Sequence, residues 1–125
     1  MNVNQILDLS LSSEYDLFVD KDRSLNSNIN CTYFSGTTEL PFNFTAYSAA
    51  TLTVKNQNGT VLMIFSTLDG SIILGTSSFK LVKSFDEMDV IRAGQYNYDM
   101  FISGNMLPKR AFLRGKITFN QNISN

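Results

Sequence analysis

Few side chains in this sequence can do acid, base or nucleophilic chemistry, and their spacing does not suit it. There is no histidine, so neither a Ser–His nor a Cys–His pair can be assembled. The single cysteine, Cys31, lies in "NINCTYF", which has the alternation of a strand. A free Cys there behaves as a small buried hydrophobe. Alone it makes neither an internal disulfide nor a cysteine-built metal site. Carboxylates cluster at Asp20 and Asp22, and again at Asp86, Glu87 and Asp89. Such groups can move protons or hold a cation. However, "DKDRS" (20–24) lacks the downstream Gly and Glu of a calcium loop, and the second cluster fits a helix N-terminus, where the dipole favours negative charge. "GTTEL" and "GTSSF" each hold one glycine without the Lys of a nucleotide loop. The expectation is a non-enzymatic protein with no catalytic residues, no metal and no cofactor.

Two tyrosines pose a different question. In "VIRAGQYNYDMFI" (90–102) a helix-like run stops at Gly94, and a strand opens with Tyr96 and Tyr98 on one face. Immunoglobulin-like sandwiches carry a tyrosine corner, in which a Tyr at a strand start bonds upstream backbone through its hydroxyl. "DVIRAGQYNY" has Asp89, a helical turn, Gly94 and Tyr96 in that order. Two residues past Tyr96, where antibody domains often place their second Cys, stands Tyr98, a large aromatic suited to the same space. Tyr96, Tyr98, Met100 and Ile102 form the inward face. Asn97, Asp99 and Ser103 point outward with Phe101, which is therefore a candidate contact for another chain.

The elements that must position these residues are mostly strands. "YDLFV", "SNINCTYF", "TLTVK", "FKLVK", "QYNYDMFIS" and "RAFLRGKITFN" alternate with the period of half-buried β-structure. "VLMIF" (61–65) is nearly all apolar and reads as a central strand covered on both sides. Phe42 and Phe44 flank Asn43 as strand alternation would. Asn58–Gly59 and Asp69–Gly70 signal hairpin turns, with both residues of each pair tolerating positive φ. Only "SFDEMDVIRAG" breaks the pattern. Ser84 and Glu87 have capping-box spacing, and Phe85, Met88 and Ile91 recur three apart, so a helix of about two turns is expected over residues 85–92. Regularly spaced short strands with turn signals predict an all-β fold: a single antiparallel immunoglobulin-like β-sandwich with one short crossover helix. The expected organisation is an N-terminal arm at 1–13, the sandwich at 14–120 and a tail at 121–125.

The totals narrow the partners. A chain of 125 residues suggests one domain. Its charged fraction, 17%, is low; Asn, Ser and Thr replace the charges, which suits a surface covered by partners and equally a compositional bias. A net charge of −1 with scattered basic residues leaves no electrostatic footprint for nucleic acid. The densest basic region, Lys109–Arg110 with Arg114 and Lys116, reads as a solvated strand face. The N-terminus has neither the basic start nor the apolar run of a signal peptide. No apolar run approaches the ~20 residues needed to cross a membrane. Asn-x-Ser/Thr triplets at Asn30, Asn43, Asn58 and Asn122 are then expected accidents of an Asn-rich chain.

The chain resembles the small immunoglobulin-like domains of tailed-phage virions. The matching stretches are Phe42–Thr45, "DGSI" (69–72), "AGQYNYDM" (93–100) and "LRGKIT" (113–118), with the likeness spanning Tyr15 to Phe119. Such domains occur in head-decoration and head-fibre proteins, including those of crAss-like phages, and at the N-terminus of baseplate upper proteins. The resemblance implies a virion structural protein, assembled in the host cytoplasm. It would bind other virion proteins, capsid subunits first, by protein–protein contacts, with homo-oligomers conceivable and no catalytic residues to carry over. Baseplate upper proteins continue into a helical stalk, whereas this sequence stops after its last strand, so a capsid auxiliary role is the expectation. A baseplate or tail adaptor, or a glycan- or receptor-binding module, is the alternative. For docking, the candidates are Phe101 and the arm's Ile6, Leu7, Leu9 and Leu11. The arm equally reads as an extra edge strand of the sandwich.

Overall fold

The computed structural model describes residues 3–8, 14–20, 25–104 and 107–120. They form ten strands and one short helix: β1 (Val3–Asp8), β2 (Leu17–Asp20), β3 (Leu25–Ser35), β4 (Thr38–Pro41), β5 (Ala49–Lys55), β6 (Val61–Ser66), β7 (Ile72–Leu74), β8 (Ser78–Lys83), α1 (Phe85–Met88), β9 (Gly94–Gly104) and β10 (Leu107–Asn120). One sheet runs β1-β3-β8-β7, with β4 pairing the far half of β3. The other runs β2-β10-β9-β5-β6. Pairing is antiparallel except for β1 with β3 and β2 with β10. This is the strand distribution of an immunoglobulin-like sandwich, in which successive strands switch between two facing sheets.

Alternation along the strands builds the core. In β9, Tyr98, Met100 and Ile102 are buried, while Asn97, Asp99 and Phe101 lie on the opposite face. In β5 the inward residues are Ala50, Leu52 and Val54. From the facing sheet come Ile29, Cys31, Phe79 and Leu81. Burial pushes the Cys31 thiol up to about 12, because a thiolate would lose its hydration there.

The structure departs from the sequence reading at several places. Phe42 and Phe44 are not on a strand but in the connection from β4 to β5. They plug one end of the sandwich, Phe44 fully buried, with ring centroids 4.9 Å apart and Phe112 at 5.1 and 5.5 Å from them. The hairpin turn after Lys55 has positive φ at Gly59 alone. Asn56 instead organises it, its Oδ1 accepting from the N–H groups of Asn58 and Thr60.

The helix is one turn, not two. Ser84 and Glu87 do form the capping box: Ser84 Oγ accepts from Glu87 N at 3.3 Å, and Glu87 Oε1 accepts from Ser84 N at 3.1 Å. After Met88 the chain tightens, with Ile91 N donating to Met88 O. That three-residue closure keeps Met88 and Ile91 both in the core while Asp89 and Val90 stay exposed. Gly94 therefore does not stop the helix; it opens β9.

Candidate interaction surface at the edge strand β6

The principal correction to the sequence reading concerns "VLMIF". It is not a central strand but β6, the edge of its sheet, paired among the described residues only to β5. Met63 and Phe65 face the core, and Val61, Leu62 and Ile64 are exposed at 48%, 38% and 47%. A register shift between Val54 and Lys55 leaves Leu62 without an opposite residue, a bulge of the kind that bends edge strands.

The hydrogen-bonding state of this edge follows from the ladder. Thr67 N donates to Ala50 O, so residues 67, 65 and 63 turn their backbone groups toward β5, and residues 66 and 64 turn theirs away. Ser66 is satisfied by a side chain. Its N–H donates to Ser71 Oγ at 2.8 Å, while the Ser71 hydroxyl proton goes to Asp69 and leaves Ser66 O 3.3 Å away as a weaker second acceptor. Asp69 in turn holds Ser71 through both N–H and hydroxyl, and these hydrogen bonds lower the Asp69 carboxyl below its ordinary value. The open edge thus ends at Ser66, and the outward N–H and C=O of Ile64 have no partner among the described residues.

Beside Ile64 lies an open groove of about 390 Å³ lined by Leu62, Met63, Ile64, Lys83, Asp86, Glu87 and Val90. Val90, 76% exposed, is its apolar lip. Lys83 is only 7% exposed; its ammonium sits 5.2 Å from the Phe65 ring centroid and 3.4 Å from Glu87 Oε2. Its stem lies against the core while its head reaches the acidic turn. Hydrogen bonds from Ser84 and the nearby Lys83 charge hold the Glu87 carboxyl below the ordinary range. Asp86, also exposed, makes no ion pair among the described residues.

The residues singled out from sequence fall elsewhere. Tyr96 Oη donates to Arg92 O at 2.8 Å, the local bond of a tyrosine corner, beside Gly94 at φ +149°. Tyr98 is buried and donates to Tyr15 O, tying β9 to the entry of β2. Burial, then the Asp16 charge, raises its phenol above the ordinary tyrosine value. Phe101 does lie on the outer face of its sheet, but half-buried, with Lys109 Nζ 4.9 Å from its ring centroid. In the N-terminal stretch, Ile6 and Leu7 belong to β1, in register with Asn30 and Cys31 of β3. Residues 3–8 therefore form an edge strand of the sandwich rather than a separate arm, and Leu9 and Leu11 lie outside the described residues. Val61, Leu62, Ile64 and Val90 were not singled out. A short apolar run reads alike whether one face or both are covered, and only the adjacent hairpin turn hints that β6 has one partner.

Among the described residues no group of three His, Cys, Asp or Glu is placed to hold a metal ion, and no helix is long and apolar enough to cross a membrane. No family model and no characterised protein sequence matches this chain. Among solved structures it is similar to CopC from Methylosinus trichosporium OB3b, with 7% identity and a TM-score of 0.45 over 91% of this chain and 90% of that one. It is also similar to extracellular domains 3–5 of Drosophila OTK, with 11% identity and a TM-score of 0.30 over 94% of this chain and 36% of that one. Neither likeness bears on function.

Proposed function

We propose that this chain is a structural protein of a tailed-phage virion, a capsid auxiliary or decoration protein that binds head-shell subunits through protein–protein contacts. The observation that carries the reading is the β6 edge, where exposed aliphatic side chains stand beside unpaired backbone groups. Such an edge is a template for pairing with another chain, and natural sheets usually blunt it with charge, proline or a cover. An edge left apolar is consistent with a surface that is covered in an assembly. The setting, a phage head, rests on the sequence resemblance. Repetition of a modest contact over a symmetric shell multiplies its strength. A baseplate or tail adaptor would use the same surface in another part of the particle.

The test is add-back. Particles grown from a genome with this gene interrupted are mixed with the purified chain and sedimented. The wild-type chain is expected to sediment with the heads in a fixed ratio to the shell subunit. A chain that stays in the supernatant at saturating concentration refutes the reading.

A second groove, of about 340 Å³, favours the glycan-binding alternative. It is lined by Asn56, Gln57, Asn58, Gln95 and Tyr96, and side-chain amides match sugar hydroxyls as donors and acceptors. Asn56 Oδ1 and the Tyr96 hydroxyl are already used within the chain, so recognition would fall to Gln57, Asn58 and Gln95. Binding on a glycan array that disappears in Gln95→Ala would support this alternative over the first.

A further inference from the structure

We infer that the β6 edge takes up an extended strand from another protein, apolar at alternate positions and carrying a basic residue that reaches Asp86. The inference rests on the reading of the chain as a protein-binding module and names the kind of segment it binds.

The backbone argues for a strand. Ile64 offers one donor and one acceptor outward, the unit that a further antiparallel or parallel strand requires. Ser71 Oγ occupies the outward N–H of Ser66, so the added strand is bounded at that end and runs toward Leu62 and the groove. The side chains argue for apolar alternation. Leu62, Ile64 and Val90 are exposed on the edge and its lip, where an incoming Val or Ile would remove apolar surface from water.

Charge argues for a basic partner and against a second copy. Among the described residues the groove's one cation, Lys83, is matched by Glu87 at 3.4 Å. That leaves the Asp86 carboxylate without a cation of its own among the described residues, with Asp89 following on the same exposed turn. Pairing β6 with the β6 of a second copy would bring two such acidic rims to one interface, where like charges repel. A strand bearing Lys or Arg meets the opposite situation.

The probe is a short soluble peptide of alternating Val and Thr ending in Lys, compared with the same peptide ending in Glu. Each is titrated into the isotopically labelled full chain and followed by amide NMR. Saturable shifts centred on Leu62, Met63 and Ile64 are expected, with the Lys peptide binding about two- to five-fold more tightly, the range of an exposed ion pair. Asp86→Asn should abolish that preference, weakening the Lys peptide and relieving the repulsion of the Glu peptide. Ile64→Pro, which removes the outward amide, replaces the apolar side chain and fixes φ, should abolish binding of both; if it unfolds the chain, Ile64→Lys takes its place. Shifts located elsewhere, or none at β6, overturn the proposal. Equal affinity for the two peptides overturns the basic-partner assignment. Self-association that Ile64→Lys abolishes would assign the edge to a second copy. Add-back to heads that succeeds while the peptides fail leaves the protein-binding reading standing and removes this one; peptide binding with failed add-back does the reverse.

Discussion

Replacing Tyr98 with Phe removes a single oxygen from the centre of the sandwich. The Tyr98 ring is buried, and its hydroxyl donates to the carbonyl of Tyr15 across 83 positions of sequence. The same residue's N–H donates to Arg114 O at 2.8 Å, so the entry to β2 is clamped between β9 and β10. Losing the donor forfeits a net bond of about 0.5–1.5 kcal/mol, and a carbonyl left unpaired away from water costs about 1–3 kcal/mol. Tyr15 is half-buried, so the lower part of that range applies, and a loss of about 1–2 kcal/mol is expected. For a domain of this size that corresponds to a fall in Tm of roughly 3–8 °C. Tyr96 gives the internal comparison. Its bond to Arg92 O is exposed, so water replaces it and Tyr96→Phe should lose about 0.5 kcal/mol, toward the low end for a single bond. Urea unfolding of both variants, with equal m-values, measures the difference. If Tyr96→Phe is the more damaging, or Tyr98→Phe matches the wild type, then the non-local clamp is not what secures β2.

Three further outcomes are open to the same unfolding measurements. Gly115→Ala should destabilise by more than about 1 kcal/mol in urea, because Gly115 has φ +149° and an added Cβ would meet the Tyr15 carbonyl oxygen at 2.5 Å. Ser84→Ala should lose about 1 kcal/mol of stability and Ser84→Asp much less, since the capping acceptor is kept. Alkaline pH should destabilise the fold. Between about 9, where the thiol titrates when unfolded, and about 12 in the fold, the native state keeps a proton the unfolded chain has released, so stability falls as pH rises. The raised Tyr98 phenol adds to the fall at the upper end. Urea midpoints from pH 7 to 11 should decline from about pH 9, and in Cys31→Ala the decline should begin higher.

The sequence made the sheet faces legible where charge and hydrophobicity alternate. Tyr98, Met100 and Ile102 could be assigned inward because Asn97 and Asp99 mark the other face. Ser84 and Glu87 marked the helix start for a similarly local reason: both partners of the cap lie within one turn. What stayed hidden depends on distant residues. Nothing near Val61–Phe65 says whether a further strand lies beyond it, and an uninterrupted apolar run hides which face is open. The parallel pairing of β1 with β3 joins segments more than twenty residues apart through backbone groups common to every residue. The helix ended early because Ile91 had to reach the core, a tertiary demand on a locally helical sequence. The proposed interaction surface stayed hidden for the first of these reasons, since it consists of edge status rather than residue type.

The most direct measurement is a cryo-electron microscopy map of intact particles grown from the genome that encodes this chain, with the chain labelled. The expected map has the sandwich seated on the head shell, its β6 edge in strand contact with a neighbouring subunit and a basic side chain near Asp86. A particle without the chain, or a bound sandwich whose β6 edge faces solvent, would contradict it.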